Sequence, residues 1–343
     1  MPHRTFTYFI LPSLLSMTLL IAVPIFSAMT QSLFIAHKQV VTVSETCDPF
    51  GCKKETSVDA EATASLREKE PLGIFNGFAT YTNRNHLATT EITASWKNAD
   101  GLKDFFSQIM NLPFYKALAF TITYTFVVTP FVIILGFLIA LGVNSLASWV
   151  KGPTIFFSLL PMIVTPLIGS LILFWMIDTD GILGSILQKI FHDNTLSLKA
   201  SPVLTWIMLI VYGIWHSTPF SFIVFYAGLQ TVPQETLEAS MLDGATRWQQ
   251  KRHVVKPYLM PLIIFVTLIQ LMDNFRVFEP IVGFSASANA TSLSWIIFND
   301  LRGEDVQLFG SAAATSMLTI IGIAVLMTPV LIRTWKEFNS KTV

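Results

Sequence analysis

The sequence lacks the usual signatures of an enzyme. It has no G-x-x-x-x-G-K-[ST] phosphate-binding loop, so we expect no ATP hydrolysis by this chain. It also lacks the H-E-x-x-H and G-x-S-x-G motifs, and its six histidines are scattered along the chain. We therefore expect no catalytic residues, no metal site and no cofactor in this chain.

Charged residues are scarce as well. They make up 13% of the chain against 52% hydrophobic residues, and the mean hydropathy is +0.58. This composition excludes an ordinary soluble domain and indicates an integral membrane protein. We expect the lipid bilayer to surround it, and we expect no nucleic acid as a partner.

Six runs without Asp, Glu, Lys or Arg locate the membrane spans. They are residues 5–36, 117–150, 152–177, 200–234, 257–272 and 306–332. The fifth run has 16 residues, fewer than the roughly 20 that a spanning helix needs. We therefore expect its helix to continue through Asp273, Arg276 and Glu279, which would then share one helix side. The prediction is an all-α integral membrane protein of six transmembrane helices, with an insertion between the first and second.

The distribution of charge orients the chain. With the N-terminus in the cytoplasm, the cytoplasmic segments hold nine Lys or Arg residues against four acidic residues, and four of the nine lie between Arg247 and Lys256. Positive residues in short loops favour the cytoplasmic side. We expect both termini and the loop around residue 247 to be cytoplasmic, which makes the insertion at residues 36–114 extracytoplasmic.

Both cysteines of the chain, Cys47 and Cys52, lie in that insertion. Pro49 and Gly51 between them can turn the chain, and an extracytoplasmic compartment permits a disulfide. The alternative is a pair of free thiols.

A polar loop between the fourth and fifth runs is the most specific feature of the chain. Thr231 and Gln234 have capping-box spacing with Pro233 between them, and Thr246 and Gln249 repeat that spacing. Gly244 favours a left-handed helix stop, so its position predicts a break there. We expect two short helices that meet at Asp243 and Gly244 and lie along the membrane face.

The order of residues in this loop resembles the EAA loop of binding-protein-dependent ABC transporter permeases, which reads roughly E-A-A-x-x-D-G-A, then W-Q, then P-x-L-x-P. Lys251 stands where the family usually has Phe, and Ser240 replaces the second Ala. The residues that fit are Glu238, Ala239, Asp243, Gly244, Ala245, Trp248, Gln249, Val254, Pro257, Leu259 and Pro261. The surrounding spans resemble the sugar-permease branch, which is related to the larger maltose permease subunit.

The resemblance implies an ABC importer in a bacterial inner membrane, in which this chain is one permease subunit. It implies four partners: a second permease chain, a dimer of ATP-binding subunits that binds ATP and Mg, an extracytoplasmic solute-binding protein and a sugar-like solute. The residues expected to couple to the ATPase are Glu238, Ala239, Ser240, Asp243, Gly244 and Ala245. The implied domains are an N-terminal transmembrane helix at 1–35, the insertion at 36–114, a permease core at 115–335 with its coupling loop at 231–257, and a cytoplasmic tail at 336–343.

Two polar patches within the apolar runs are candidates for the solute path. One combines aromatic faces and polar tips at Tyr212, Trp215 and His216, next to Pro219, as a sugar site requires. The other, at Asn274, Arg276 and Phe278, places polar groups at a depth where they usually face a cavity. Packing or anchoring at the membrane interface is the alternative for both patches. Arg276 also leaves an anionic sugar derivative open.

Two other functions remain compatible with a multi-span chain. An ion-coupled secondary transporter would use Asp273 and Arg276 for coupling, but it usually shows an internal repeat, which this sequence lacks. A membrane-anchored scaffold that senses a ligand would leave the polar loop unexplained.

Overall fold

The computed structural model describes residues 3–48, 51–192, 197, 199, 201–303 and 308–340. The chain forms two compact units: residues 1–116 with 296–320, and residues 117–295 with 321–343. The predicted domain boundaries at residues 35, 114 and 335 stay a proposal. Residues 296–320, which were predicted to belong to the permease core, group with the N-terminal unit.

The first unit consists of a long apolar helix followed by a small mixed lobe. The elements that lie wholly within it are α1 (His3–Met17), a π-helical stretch (Thr18–Ala22), α2 (Val23–Gln31), β1 (Phe34–Ile35), β2 (Val41–Asp48), β3 (Gly51–Val58), α3 (Ala60–Lys69), β4 (Ile74–Phe75), α4 (Ala79–Thr82), α5 (Thr89–Asn98) and α6 (Leu102–Met110). The protein is mostly helical as predicted. The two antiparallel strand pairs, β1 with β4 and β2 with β3, were not predicted from the sequence.

The β2–β3 hairpin places Cys47 directly opposite Cys52 in its register. Because the side chains of both cysteines lie outside the described residues, the disulfide stays a prediction.

A buried histidine ties the lobe of the first unit to residue 311. The His86 side chain is fully buried, and its Nε2 donates to the Ser311 carbonyl at 3.1 Å. Its Nδ1 lies 2.8 Å from Asn83 Oδ1. One imidazole ring therefore links the turn at residue 86 to residue 311, which lies far from it in sequence.

The second unit carries the remaining helices. They are α7 (Pro113–Asn144), α8 (Ser148–Ile163), α9 (Pro166–Met176), α10 (Ile182–Phe191), α11 (Pro202–Leu229), α12 (Gln234–Leu242), α13 (Arg247–Gln250), a π-helical stretch (Lys251–Val255), α14 (Lys256–Tyr258), α15 (Met260–Phe275), α16 (Glu279–Gly283) and a 3₁₀ turn (Ala286–Ala288). The first residues of α7 lie in the first unit, and two further helices, α17 (Leu293–Arg302) and α18 (Phe309–Ser340), likewise begin in one unit and end in the other.

Helix α11 is the centre of the second unit. Its side chains Leu209, Tyr212, Phe222 and Phe225 are almost completely buried. Helix α7 approaches it closely at Gly136, where an added Cβ would lie 2.7 Å from the Ser221 Cβ. Small residues at such crossings let membrane helices pack backbone to backbone.

Two of the six predicted spans are bent. Four helices are long and apolar enough to cross a membrane, at Thr7–Gln31, Pro113–Asn144, Pro202–Leu229 and Phe309–Lys336. The bent pairs Ser148–Ile163 with Pro166–Met176 (92°) and Arg247–Tyr258 with Met260–Phe275 (67°) raise the number to six if each pair counts as one span. A proline follows each break within two residues, which accounts for the interruption.

The fifth span also differs from its predicted extent. Helix α15 ends at Phe275, Arg276 is its C-cap, and Glu279 begins the separate helix α16. The prediction of one helix through Glu279 is therefore wrong, because the chain turns after Phe275. The short apolar run is extended at its other end instead, through the bend into α14.

Candidate functional site

A cavity of about 530 Å³ lies within the second unit. Its size falls in the range of small-molecule sites, roughly 300–1,000 Å³. Helix α11, the start of α9 and the end of α15 supply most of its wall. The lining residues are Tyr124, Met162, Pro166, Tyr212, Gly213, His216, Ser217, Phe220, Ile269, Gln270, Asp273, Asn274, Arg276, Val277, Glu279 and Pro280.

One side of the cavity is an uncharged polar network. The buried Asn274 donates through Nδ2 to Thr129 Oγ1 at 3.0 Å and, more weakly, to Gln270 Oε1 at 3.5 Å. Gln270 in turn donates to the Ser217 carbonyl and to Ser221 Oγ, both at 3.4 Å. These bonds link α15 to α7 and α11, so the two amides are held in place.

A second side contains the break between α8 and α9. Thr165 has an extended backbone before Pro166, as a residue preceding proline prefers. The Tyr212 hydroxyl donates to the Pro166 carbonyl at 2.7 Å, and His216 Nε2 donates to the Val164 carbonyl at 3.2 Å. The two rings stack with centroids 5.7 Å apart. The polar tips of α11 therefore bind backbone carbonyls on both sides of the helix break.

The remaining lining residues include three charges. Arg276 Nη2 donates to Asp273 Oδ1 at 2.9 Å, and both side chains are about half exposed, at 54% and 53%. Glu279 is also exposed and lines the same cavity. Among the described residues, Glu279 forms no ion pair.

Four of the six residues predicted for the solute path line this cavity. Tyr212 and His216 come from one predicted patch, and Asn274 and Arg276 come from the other. Trp215, which is 45% exposed, and Phe278 are not among the lining residues. The sequence analysis did not assign Gln270, Asp273 or Glu279 to the path. Gln270 could have been noticed as a polar residue inside the fifth apolar run.

The polar loop forms two short helices, as predicted, with a tight stop between them. Gly244 has a φ of +78°, and the backbone bonds from Gly244 to Met241 and from Ala245 to Ser240 are those of a Schellman cap. The predicted capping box at Thr246 and Gln249 is present. The one at Thr231 and Gln234 is wrong, because Thr231 Oγ1 donates to the Gly228 carbonyl and Pro233 caps α12 without a side-chain bond.

Hydrogen bonds from Gln250 join the two helices of this loop on one side. The buried Gln250 donates through Nε2 to Ser240 Oγ at 3.0 Å and to the Leu237 carbonyl at 3.3 Å. Ser240, the residue that replaces Ala in the family pattern, thus contributes an acceptor. The opposite side exposes Met241 (60%), Leu242 (90%) and Trp248 (67%). An apolar surface at the tip of a loop is typical of a protein contact.

The predicted coupling residues lie at this tip. Glu238, Ala239, Asp243 and Gly244 are exposed, and Ser240 and Ala245 are half-buried. Met241 and Leu242 also lie at this tip, although the sequence did not assign them to the coupling residues. Their position directly before Asp243 was the available signal.

The comparisons with known proteins agree with this architecture. Residues 105–332 match the family described as binding-protein-dependent transport system inner membrane component. The chain belongs to this family. It is therefore a permease subunit of an ABC importer, as predicted, and the ATPase is a separate subunit.

Similar permeases come from several organisms. The trehalose/maltose transport system permease protein MalF of Thermococcus litoralis is 25% identical over 224 residues, which cover 64% of this chain and 75% of that protein. The multiple sugar-binding transport system permease protein MsmF of Streptococcus mutans is 30% identical over 218 residues, 61% of this chain and 73% of that protein.

A solved structure shares the fold of this permease. It is the crystal structure of a bacterial ABC transporter involved in the import of the acidic polysaccharide alginate, with a TM-score of 0.58. At 20% sequence identity, the match covers 80% of this chain and 95% of the other. The likeness supports a multi-span permease fold for the chain.

Proposed function

We propose that this permease forms, together with a second permease chain, the translocation path for a saccharide or a similar hydroxylated solute. The observation that carries the proposal is the cavity between α9, α11 and α15. It combines the half-buried rings of His216 and Phe220 with amide groups at Gln270 and Asn274. Apolar faces for stacking and polar groups for hydroxyls are what saccharide recognition requires. The relatives named for trehalose, maltose and multiple sugars support the same solute class.

In this proposal the path runs past Tyr212, His216, Asn274 and Arg276. The hydroxyl of Tyr212 and Nε2 of His216 bind the α8–α9 break, so these residues shape the wall, and the half-buried His216 presents its ring. Arg276 is the exposed donor on the path. Trp215 and Phe278 do not line the cavity, but each is next in sequence to a residue that does.

The loop between α11 and α15 couples the conformational change of the ATPase to the permease. Its exposed apolar tip at Met241, Leu242 and Trp248 enters a cleft of a partner ATP-binding subunit, and Glu238 and Asp243 meet basic groups there. Binding and hydrolysis of ATP with Mg by a dimer of those subunits moves the loop, and the adjoining helices reorient the cavity. The chain itself needs no cofactor.

The topology follows from the placement of that loop. With the loop in the cytoplasm, six spans place both termini there and place the lobe of residues 36–114 outside, where an extracytoplasmic binding protein delivers the solute. The membrane is a bacterial inner membrane.

The test is uptake by the assembled transporter in proteoliposomes, with radiolabelled maltose, trehalose and maltotriose as probes. We expect ATP-dependent uptake of at least one probe, and we expect Arg276→Ala to raise the half-saturating concentration several-fold. Arg84→Ala removes an exposed arginine outside the cavity and is the matched control. Uptake that persists without ATP, or equal half-saturation in both variants, contradicts the proposal.

A further inference from the structure

The cavity is lined by more acidic than basic side chains. Asp273, Arg276 and Glu279 are its charged lining residues, which gives two carboxylates for one guanidinium. The other titratable lining groups are Tyr124, Tyr212 and His216, and the last two donate to backbone carbonyls. The cavity therefore carries a net negative formal charge when its imidazole is neutral.

The single cation is already bound. Arg276 lies 2.9 Å from Asp273, its neighbour one helical turn earlier. A solute carboxylate that approached Arg276 would share its guanidinium with Asp273, and both protein carboxylates would then face the anion. Like charges at short range repel, most strongly where water is scarce. Arg276 thus offers little to an anionic solute.

The polar network deeper in the wall offers no compensation. Its members Gln270, Asn274 and Thr129 are uncharged, and their donors bind one another or the backbone. A carboxylate that moved past Arg276 would lose hydration without meeting a cation, which is costly. A hydroxyl, in contrast, can exchange bonds with amides at small cost.

We propose that Glu279 makes this cavity selective against anionic solutes, so that the solute that passes is uncharged. That the solute is a saccharide rests on the function proposed above, whereas the charge preference does not. Glu279 is the group that decides it, because Asp273 and Arg276 neutralise each other.

Charged thiol reagents test the preference without knowledge of the solute. Ser217 lines the cavity, and Ser217→Cys places a thiol there. The complex is treated in parallel with cationic trimethylammonioethyl methanethiosulfonate and anionic sulfonatoethyl methanethiosulfonate, and modification of the peptide that contains residue 217 is followed by mass spectrometry. We expect the cation to react about tenfold faster than the anion after correction for their rates with free cysteine, since a charged cleft concentrates its counter-ions.

Three variants in the Ser217→Cys background identify the source of the preference. Glu279→Gln should lower the ratio of rates to about threefold or less, and Glu279→Asp, which keeps the charge, should retain it. Glu68→Gln removes an exposed carboxylate outside the cavity and should leave the ratio unchanged. A ratio near one in the parent, or a ratio that Glu279→Gln leaves unchanged, overturns the proposal. If the ratios hold while no saccharide is imported, the proposed function fails and the charge selectivity of the cavity stands.

Discussion

The Tyr212 hydroxyl donates to the Pro166 carbonyl at 2.7 Å, across 46 residues of sequence. The bond joins a buried part of α11 to the first residue of α9, just after a 92° bend. A buried hydroxyl in a membrane needs an acceptor, because lipid offers none. The Pro166 carbonyl supplies it, and the bond helps to fix the wall of the cavity.

Removal of that hydroxyl should destabilise the permease. In Tyr212→Phe this hydrogen bond is lost, and we expect the free energy of unfolding to fall by about 0.5–1.5 kcal/mol. Thermal unfolding in detergent measures the change. Tyr226→Phe removes the same atom from the same helix, but no hydrogen bond of Tyr226 is found among the described residues, so this control should unfold like the wild type. Equal midpoints for the two variants would contradict the role given to the bond.

The conformation of Gly244 gives a second prediction. Its φ of +78° disfavours any residue with a side chain, although an added Cβ would meet nothing within 4 Å. We expect Gly244→Ala to strain the loop by about 1–2 kcal/mol and to reduce solute-stimulated ATP hydrolysis by the assembled transporter, with Gly244→Asn less affected. The effect comes from the backbone and not from a clash.

Gly142 provides the control for this substitution. An added Cβ there also meets nothing within 4 Å, but the residue lies in the ordinary helix α7. Gly142→Ala should therefore leave ATP hydrolysis unchanged. Full stimulated activity in Gly244→Ala would show that the left-handed stop is not needed for coupling.

A third prediction concerns acid and the lobe of the first unit. Burial lowers the pKa of His86 below its ordinary value of 6.5, although the Ser311 carbonyl and the Asp300 carboxyl act in the opposite direction. Below pH 6.5 the unfolded chain therefore takes up a proton that the folded chain takes up only at lower pH. The stability that the neutral ring provides is present above this pH and is lost as the pH falls.

Thermal unfolding at about pH 7.5 and about pH 5.5 measures this effect. The wild type should lose more stability between the two values than His86→Gln, whose amide can still donate to the Ser311 carbonyl but does not titrate. The comparison also removes the contribution of Asp300, which is present in both proteins. An equal loss in both would show that another group governs the response to acid.

Apolar runs predicted the positions of the spans because hydropathy depends on composition alone. They did not predict the 92° and 67° bends, since proline is tolerated in many membrane helices and does not by itself determine an angle. The capping box at Thr246 was predictable because both of its partners are local. The capping box predicted at Thr231 does not form, because the Thr231 hydroxyl donates to the Gly228 carbonyl in the preceding helix.

Part of the cavity lining was predictable from local sequence. Polar residues such as Asn274 and Arg276 stand out in or beside an apolar run, and they line the cavity. That Tyr212 and His216 would use their donors on backbone carbonyls was not predictable, because Pro166 and Val164 are distant in sequence. The three-residue spacing of Asp273 and Arg276 did predict that they could pair, whereas the position of Glu279 in a separate helix depended on where α15 ends.

The first apolar helix has a consequence for how the chain folds. None of the most apolar stretch within Thr7–Gln31 is buried inside the chain. Its transfer into lipid therefore supplies its stability without help from the remaining spans, as expected for a segment that inserts first and associates later. In terms of biogenesis, we expect this helix to insert into the membrane as an independent segment.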